Sequence, residues 1–155
     1  MDKFSHIQND RAQMVDITAK NEVAREAVAS GRIYLQENTL RAIRDGTVVK
    51  GNVLATARVA ATIAVKDTPR LIPMCHPIPI GAITVDFDEK DGCIEATVRV
   101  KSQGRTGVEM EALTGVSVSL LTIWDMVKSA EKDKNGQYPV TRISDIRVLE
   151  KRKGL

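Results

Sequence analysis

Aromatic residues are scarce in this 155-residue sequence: Phe4, Phe87, Tyr34, Tyr138 and Trp124 make up 3% of it. A surface that stacks on nucleic-acid bases needs more exposed rings. Cysteine is scarcer still. Cys75 and Cys93 alone exclude a disulfide scaffold and a four-cysteine zinc site. With His6 and His76 the only histidines, one chain cannot supply a multi-histidine metal centre. No apolar run approaches the roughly 18 residues of a membrane span. The polar N-terminus, MDKFSHIQND, lacks the apolar stretch of a secretory signal. Charge is nearly balanced: 23 Lys and Arg against 20 Asp and Glu give +3. That excess suits an anionic substrate and is too small to argue for nucleic acid. The motifs GxxxxGK[ST], GxGxxG, HExxH and GxSxG are all missing. The expectation is a cytoplasmic protein with no membrane or nucleic-acid partner.

What is present suits one folded domain over residues 1–155, with 43% apolar and 28% charged residues. Residues 1–19 read as a loosely ordered segment and 20–151 as an α+β domain. Val23 to Leu35 reads as a strand. Asn38 or Thr39 is placed to cap a short helix that stops at Gly46. Asn52 starts an alanine-rich helix, expected to end before Pro69, whose small side chains suit close packing on a neighbour. Four of the five prolines then fall in TPRLIPMCHPIPI, which predicts a rigid, extended loop. Ile80 to Phe87 and Cys93 to Lys101 alternate apolar and polar residues around an EKDG turn, a hairpin signal. From Val108 to Lys132, Leu113, Val116, Leu120, Ile123, Trp124 and Val127 recur at helical spacing, with a start at Thr106 or Gly107. TRISDIRVLEK predicts a last strand, and the closing EKRKGL reads as a solvated basic tail. The order implies helices on one face of an antiparallel sheet.

Each candidate for chemistry has a plain reading beside the functional one. His76 in MCHP is a surface-loop histidine or a proton-transferring imidazole held by Pro73, Pro77 and Pro79. Cys75 beside it reads more simply as a small buried residue than as a nucleophile. Glu109 and Glu111 suit the positive end of a helix dipole, or one of them contacts a donor-rich heterocycle such as guanine. Residues two apart on a helix point about 200° apart, so a regular helix cannot aim both at one pocket. Asp125 and Lys128 form an ordinary i,i+3 pair, or an acid–base pair at the edge of the surface buried by Trp124 and Val127. Lys50, before a helix start, is one surface lysine among many or part of an anion cradle. Arg25, among small strand residues, points to an anion or a subunit neighbour.

Five segments, MVDIT (14–18), KGNVLATARVA (50–60), LIPMCHP (71–77), TGVEMEALT (106–114) and LTIWDMVK (121–128), together resemble the cyclic pyranopterin monophosphate synthase family of molybdenum cofactor biosynthesis. The resemblance runs from Met14 to Lys151. It implies a ferredoxin-like α+β protomer, a hexamer built as a trimer of dimers, and active sites at subunit interfaces. The implied reaction converts 3',8-cyclo-7,8-dihydroguanosine 5'-triphosphate to cyclic pyranopterin monophosphate and releases diphosphate. By motif position it implies catalytic roles for Asp125, Lys128 and Lys50. It implies substrate contacts for Met74, Cys75, His76, Glu109, Met110, Glu111, Arg25 and Lys151. It implies no metal ligands and no cofactor, although Mg²⁺ could accompany the substrate triphosphate. Trp124 stands where the family commonly has tyrosine. A small basic RNA-binding module is the alternative from another class. It would need aromatic rings on the sheet face, and Phe87 is the only ring in the hairpin strands.

Overall fold

The computed structural model describes Ile7, Gln8 and residues 10–154. Phe4 and His6 therefore lie outside the described residues, as does part of the segment expected to be loosely ordered. Strands β1 (Ile7–Gln8) and β2 (Arg11–Ala12) form a small antiparallel ladder, with Ile7 opposite Ala12. The main body follows as β3 (Val23–Tyr34), α1 (Glu37–Asp45), α2 (Val53–Leu71), β4 (Ile80–Lys90), β5 (Cys93–Gly104), α3 (Glu109–Glu131) and β6 (Arg142–Lys153). The four long strands form one sheet in the order β4-β5-β3-β6, every neighbour antiparallel. This is the split β-α-β arrangement of ferredoxin-like folds, with one extra helix in the first crossover.

Side-chain alternation decides which sheet face is covered. On β5, Ile94, Ala96, Val98 and Val100 are buried, and they share the core with Val116, Leu120 and Ile123 of α3. The opposite face is polar. Glu95 holds both Arg32 at 2.9 Å and Lys90 at 2.8 Å, and Arg99 pairs with Glu26. α3 has the length and apolar composition of a membrane-crossing helix. One face of it goes into the core instead, with Val116, Leu120 and Ile123 fully buried, while Leu121 stays exposed.

The helices sit unusually close to the sheet and to each other. A Cβ on Gly31 of β3 would lie 2.8 Å from Val116 and 3.0 Å from Leu120. On Gly115 of α3 it would lie 2.8 Å from Val65 of α2 and 3.1 Å from Val98 of β5. The alanine-rich face expected on α2 is there: Ala57 and Ala61 are fully buried against the core. Close packing of this kind leaves no room for an added methyl.

The far end of α3 is pinned by Glu131, a buried carboxylate that no sequence pattern singled out. The Gln36 N–H donates to both of its oxygens at 3.2 Å, the Thr141 hydroxyl donates at 2.8 Å, and the Thr39 hydroxyl donates as well. The Gln36 side-chain amide also donates to the Glu131 backbone carbonyl at 3.1 Å. One residue thus joins the end of α3, the start of α1 and the approach to β6.

Four expectations are corrected. The N-cap of α1 is Gln36, not Asn38 or Thr39, because Thr39 turns its hydroxyl inward to Glu131. α2 runs through Pro69 to Leu71. Proline lacks the N–H that would bond the carbonyl four residues back and crowds that carbonyl, but here it sits in the last turn, where little helix remains to be disturbed. The Ile72 N–H closes the helix on Thr68 at 2.9 Å. The extended proline-rich loop therefore starts at Ile72. α3 begins at Glu109, so Thr106 and Gly107 belong to the turn before it. The basic tail is exposed, as read, but is not a free end: Glu150, Lys151, Arg152 and Lys153 belong to β6, opposite Val28, Ala27, Glu26 and Arg25 of β3. The cap read at Asn52 is present, with its side chain accepting the Ala55 N–H at 3.0 Å.

Gly115→Ala should lower stability by about 1–3 kcal/mol through overpacking. Thermal denaturation checks this, and an unchanged Tm would show that Val65 and Val98 give way freely.

Candidate active site

The predicted site residues fall into two clusters. The first is a cleft of about 320 Å³ between the proline-rich loop and the start of α3. Met74, Cys75 and His76 line one side, Glu109 and Met110 the other, and Thr106 and Gly107 the turn between them. Two segments that are 30 residues apart in sequence meet here because β4 and β5 form a hairpin and return the chain to the same end of the sheet.

Lys151 of β6 meets the cleft only through Glu109, with its Nζ 2.6 Å from Glu109 Oε1. The strand register that replaces the expected tail is what brings it there. Arg25 stands one step back. It is 8% exposed, and its Nε donates to the Gly104 carbonyl at 3.4 Å, just before the Thr106–Gly107 turn. The MVDIT segment approaches as well. Asp16 is held below the usual carboxylate range, mainly by the Thr18 hydroxyl and by the Thr18 N–H at 2.8 Å, with His76 adding a smaller attraction. Sequence reasoning gave Asp16 no role, and only the resemblance of MVDIT marked its neighbourhood.

The two glutamates behave as the helix angle requires. Glu109 faces the cleft and Lys151. Glu111 turns behind it, is 1% exposed, and meets the Cys75 thiol at 3.7 Å. Burial is the main force pushing the Glu111 carboxyl up, and the Glu109 charge adds to it. The Cys75 thiol is pushed up to about 11, first by burial and then by the Glu111 charge.

The second cluster is Lys50, Asp125 and Lys128. Asp125 Oδ1 accepts from Lys128 Nζ at 2.9 Å, and Oδ2 accepts from Lys50 Nζ at 3.1 Å. Lys50 Nζ also donates to the Asp125 backbone carbonyl at 3.1 Å. The two-residue pair visible in the sequence is therefore a three-residue bridge. All three side chains remain substantially exposed, at 48% for Lys50, 58% for Asp125 and 44% for Lys128. At such exposure the bridge stabilises the fold little. Lys128 and then Lys50 hold Asp125 below the usual carboxylate range. Asp125 in turn holds the Lys128 ammonium above the usual lysine range. Beside them Trp124 packs edge-on to Tyr138, with ring centroids 5.2 Å apart.

One chain does not bring the two clusters together. Glu109 and Asp125 lie on the same helix, and the rise of about 1.5 Å per residue puts them about 24 Å apart along its axis. The RNA-binding alternative gains no platform. Phe87 packs against the core and carries Arg58 at 5.6 Å, and the Tyr34 ring is covered by the Arg142 guanidinium at 3.8 Å.

Residues 14–154 match the MoaC family model. The chain belongs to the MoaC family. Its relatives are similar over nearly their full length. A protein of Methanoregula boonei is 77% identical over 99% of both chains, and one of Methanosphaerula palustris is 72% identical over 99% of this chain and 100% of its own. One of Thermococcus kodakarensis is 55% identical over 99% of both chains. All three are named "Probable cyclic pyranopterin monophosphate synthase". The matched span includes every residue of both clusters.

Asp125→Asn should return Lys128 to an ordinary lysine titration, because the carboxylate is the chief cause of its raised value. NMR titration of ¹³C-labelled lysine side chains reads this directly. An unmoved Lys128 would show that the bridge has little strength in solution.

Proposed function

We propose that this chain is a cyclic pyranopterin monophosphate synthase, a lyase of molybdenum cofactor biosynthesis. Its substrate would be 3',8-cyclo-7,8-dihydroguanosine 5'-triphosphate and its second product diphosphate. The observation that carries this reading is the near-full-length similarity to proteins of that name, over a span that holds both clusters.

The chemistry assigns roles by group. Lys128 and Asp125 form the acid–base pair; each stabilises the other's charge in the resting chain, so proton transfer begins only when substrate displaces that contact, and Asp125 meanwhile orients both lysines. Lys50 completes the proton relay and offers a second cation to the triphosphate. Glu109 accepts hydrogen bonds from the guanine-derived ring, with Met74 and Met110 as apolar walls and His76 beside them. Lys151 and Arg25 supply further positive charge. Cyclic phosphate forms when a substrate hydroxyl attacks the α-phosphate and diphosphate leaves. Positioning and charge stabilisation carry that step. The reaction needs no redox cofactor, and Mg²⁺ would enter with the triphosphate.

The 24 Å separation supports a site shared between subunits, in which one protomer's cleft faces its partner's lysine bridge. A homo-oligomer, a hexamer built from dimers in this reading, is then required for turnover. The two unpaired cysteines fit a reducing, cytoplasmic location.

Purified protein supplied with the cyclised nucleotide should release diphosphate and pterin product, whereas Lys128→Ala should reduce turnover by at least about 100-fold. Comparable rates in wild type and mutant would sink the assignment of the bridge. Subunit sharing has its own test. His76→Ala and Lys128→Ala chains, each inactive alone, should regain about a quarter of wild-type activity when unfolded together and refolded in equal amounts. Half of the dimers would then be mixed, each with one intact site. No recovery from mixed oligomers of native size would place both clusters of a working site in one chain.

A further inference from the structure

Residues 132–141 carry the chain from the end of α3 to β6, beyond the last of the five segments that resemble the family. They are tied at several points. The Asp133 N–H donates to the Gln137 carbonyl at 2.8 Å, and the Gly136 N–H donates to the Asp133 carbonyl at 3.0 Å. The Asp133 carboxylate accepts the Asn135 N–H at 2.8 Å and the Gln137 N–H at 3.0 Å. At the far end the Thr141 hydroxyl returns to the Glu131 carboxylate at 2.8 Å. Between the closed loop and that tie stands Tyr138, half-buried, with its ring edge-on to Trp124 at 5.2 Å.

The helical angle sets what this does to Lys128. Seen down α3, Trp124 lies about 40° to one side of Lys128 and Asp125 about 60° to the other. The ammonium meets Asp125 at 2.9 Å on its one side, and the aromatic pair flanks the other. Tyr138 is near enough to bear on the Lys128 charge, more weakly than Asp125 does. Lys50 reaches the bridge through Asp125 alone. Glu131, three residues after Lys128, is the natural rival carboxylate for its ammonium. It is buried and occupied by Gln36, Thr39 and Thr141.

We propose that residues 132–141 are a strap and that Tyr138 is a positioning residue for Lys128. A lysine on its four-carbon stem otherwise samples many rotamers, which is what weakens exposed ion pairs. The Tyr138 ring seated on Trp124 restricts that stem from one side and favours the conformer that meets Asp125. Glu131 serves the same end twice, by anchoring the strap and by being unavailable to the ammonium. The functional part of this inference rests on the proposed synthase reading, but the strap itself can be tested without substrate.

The test uses the full chain labelled with ¹³C-lysine, with the Lys128 signal assigned by its loss in Lys128→Arg. A held lysine shows two distinct Hε proton shifts and a free one shows a single shift. The wild type should show two. Tyr138→Ala should merge them, and Tyr138→Phe, which keeps a ring on Trp124, should restore them. Asp133→Ala, which opens the loop without touching the bridge, should merge them with Tyr138 still present. With the cyclised nucleotide, Tyr138→Ala should lower kcat about tenfold with little change in KM, because a misplaced reacting group costs rate. Tyr138→Phe should recover most of that loss. A single shift in the wild type would overturn the proposal, as would two shifts persisting in a folded Tyr138→Ala chain. Merged shifts in Tyr138→Phe would also overturn it, since the hydroxyl and not the seated ring would then hold Lys128. If Tyr138→Ala does not fold, unmerged shifts in Asp133→Ala overturn it instead. An inactive wild type whose Lys128 shifts respond as expected would count against the synthase reading alone.

Discussion

The seat of α3 on the sheet is the contact on which the rest of the molecule depends. Gly31 and Gly115 let the helix approach β3, β5 and α2 more closely than any larger residue would allow. Its first turn then forms one wall of the cleft, and its later turns carry the lysine bridge. A sideways shift of one ångström would move both clusters at once, though they share no contact. The helix is in this sense a ruler as well as a core element.

Most of the fold can be read from residue patterns, because most elements are amphipathic in the ordinary way. The β4–β5 hairpin shows its period of two, and α3 shows its spacing of three and four. The errors occur where a tertiary partner outweighs a local signal. Pro69 survives in a helix because it falls in the last turn, which the Ile72 N–H closes on Thr68. Residues 150–153 form strand although they are mostly charged, because an edge strand buries little and gains its order from pairing with β3. Thr39 does not cap a helix because a glutamate 92 residues away takes its hydroxyl.

The site was readable in a different way. Residue types and spacing left Asp125 and Lys128 as an ordinary surface pair, and only the order of five segments singled them out. The structure adds Lys50 to that pair and brings Lys151 from a tail to Glu109 at the edge of the cleft. The angle between Glu109 and Glu111 was correctly limiting. One serves the cleft and the other serves the loop behind it. The separation of the two clusters, by contrast, was already implicit in the predicted helix, because it follows from their sharing one straight element.

Glu131 and Asp125 lie two turns apart on α3 and meet ionic strength very differently. Every donor to the buried Glu131 carboxylate is a neutral hydroxyl or amide. Added salt has no counterion to compete for there, so the joint between α3, α1 and β6 keeps its strength in concentrated electrolyte. The exposed bridge of Lys50, Asp125 and Lys128 is held by opposite charges within reach of solvent ions, and it is screened over about 8 Å at physiological salt. A saline interior would loosen the lysine bridge while leaving the Glu131 joint beside it untouched.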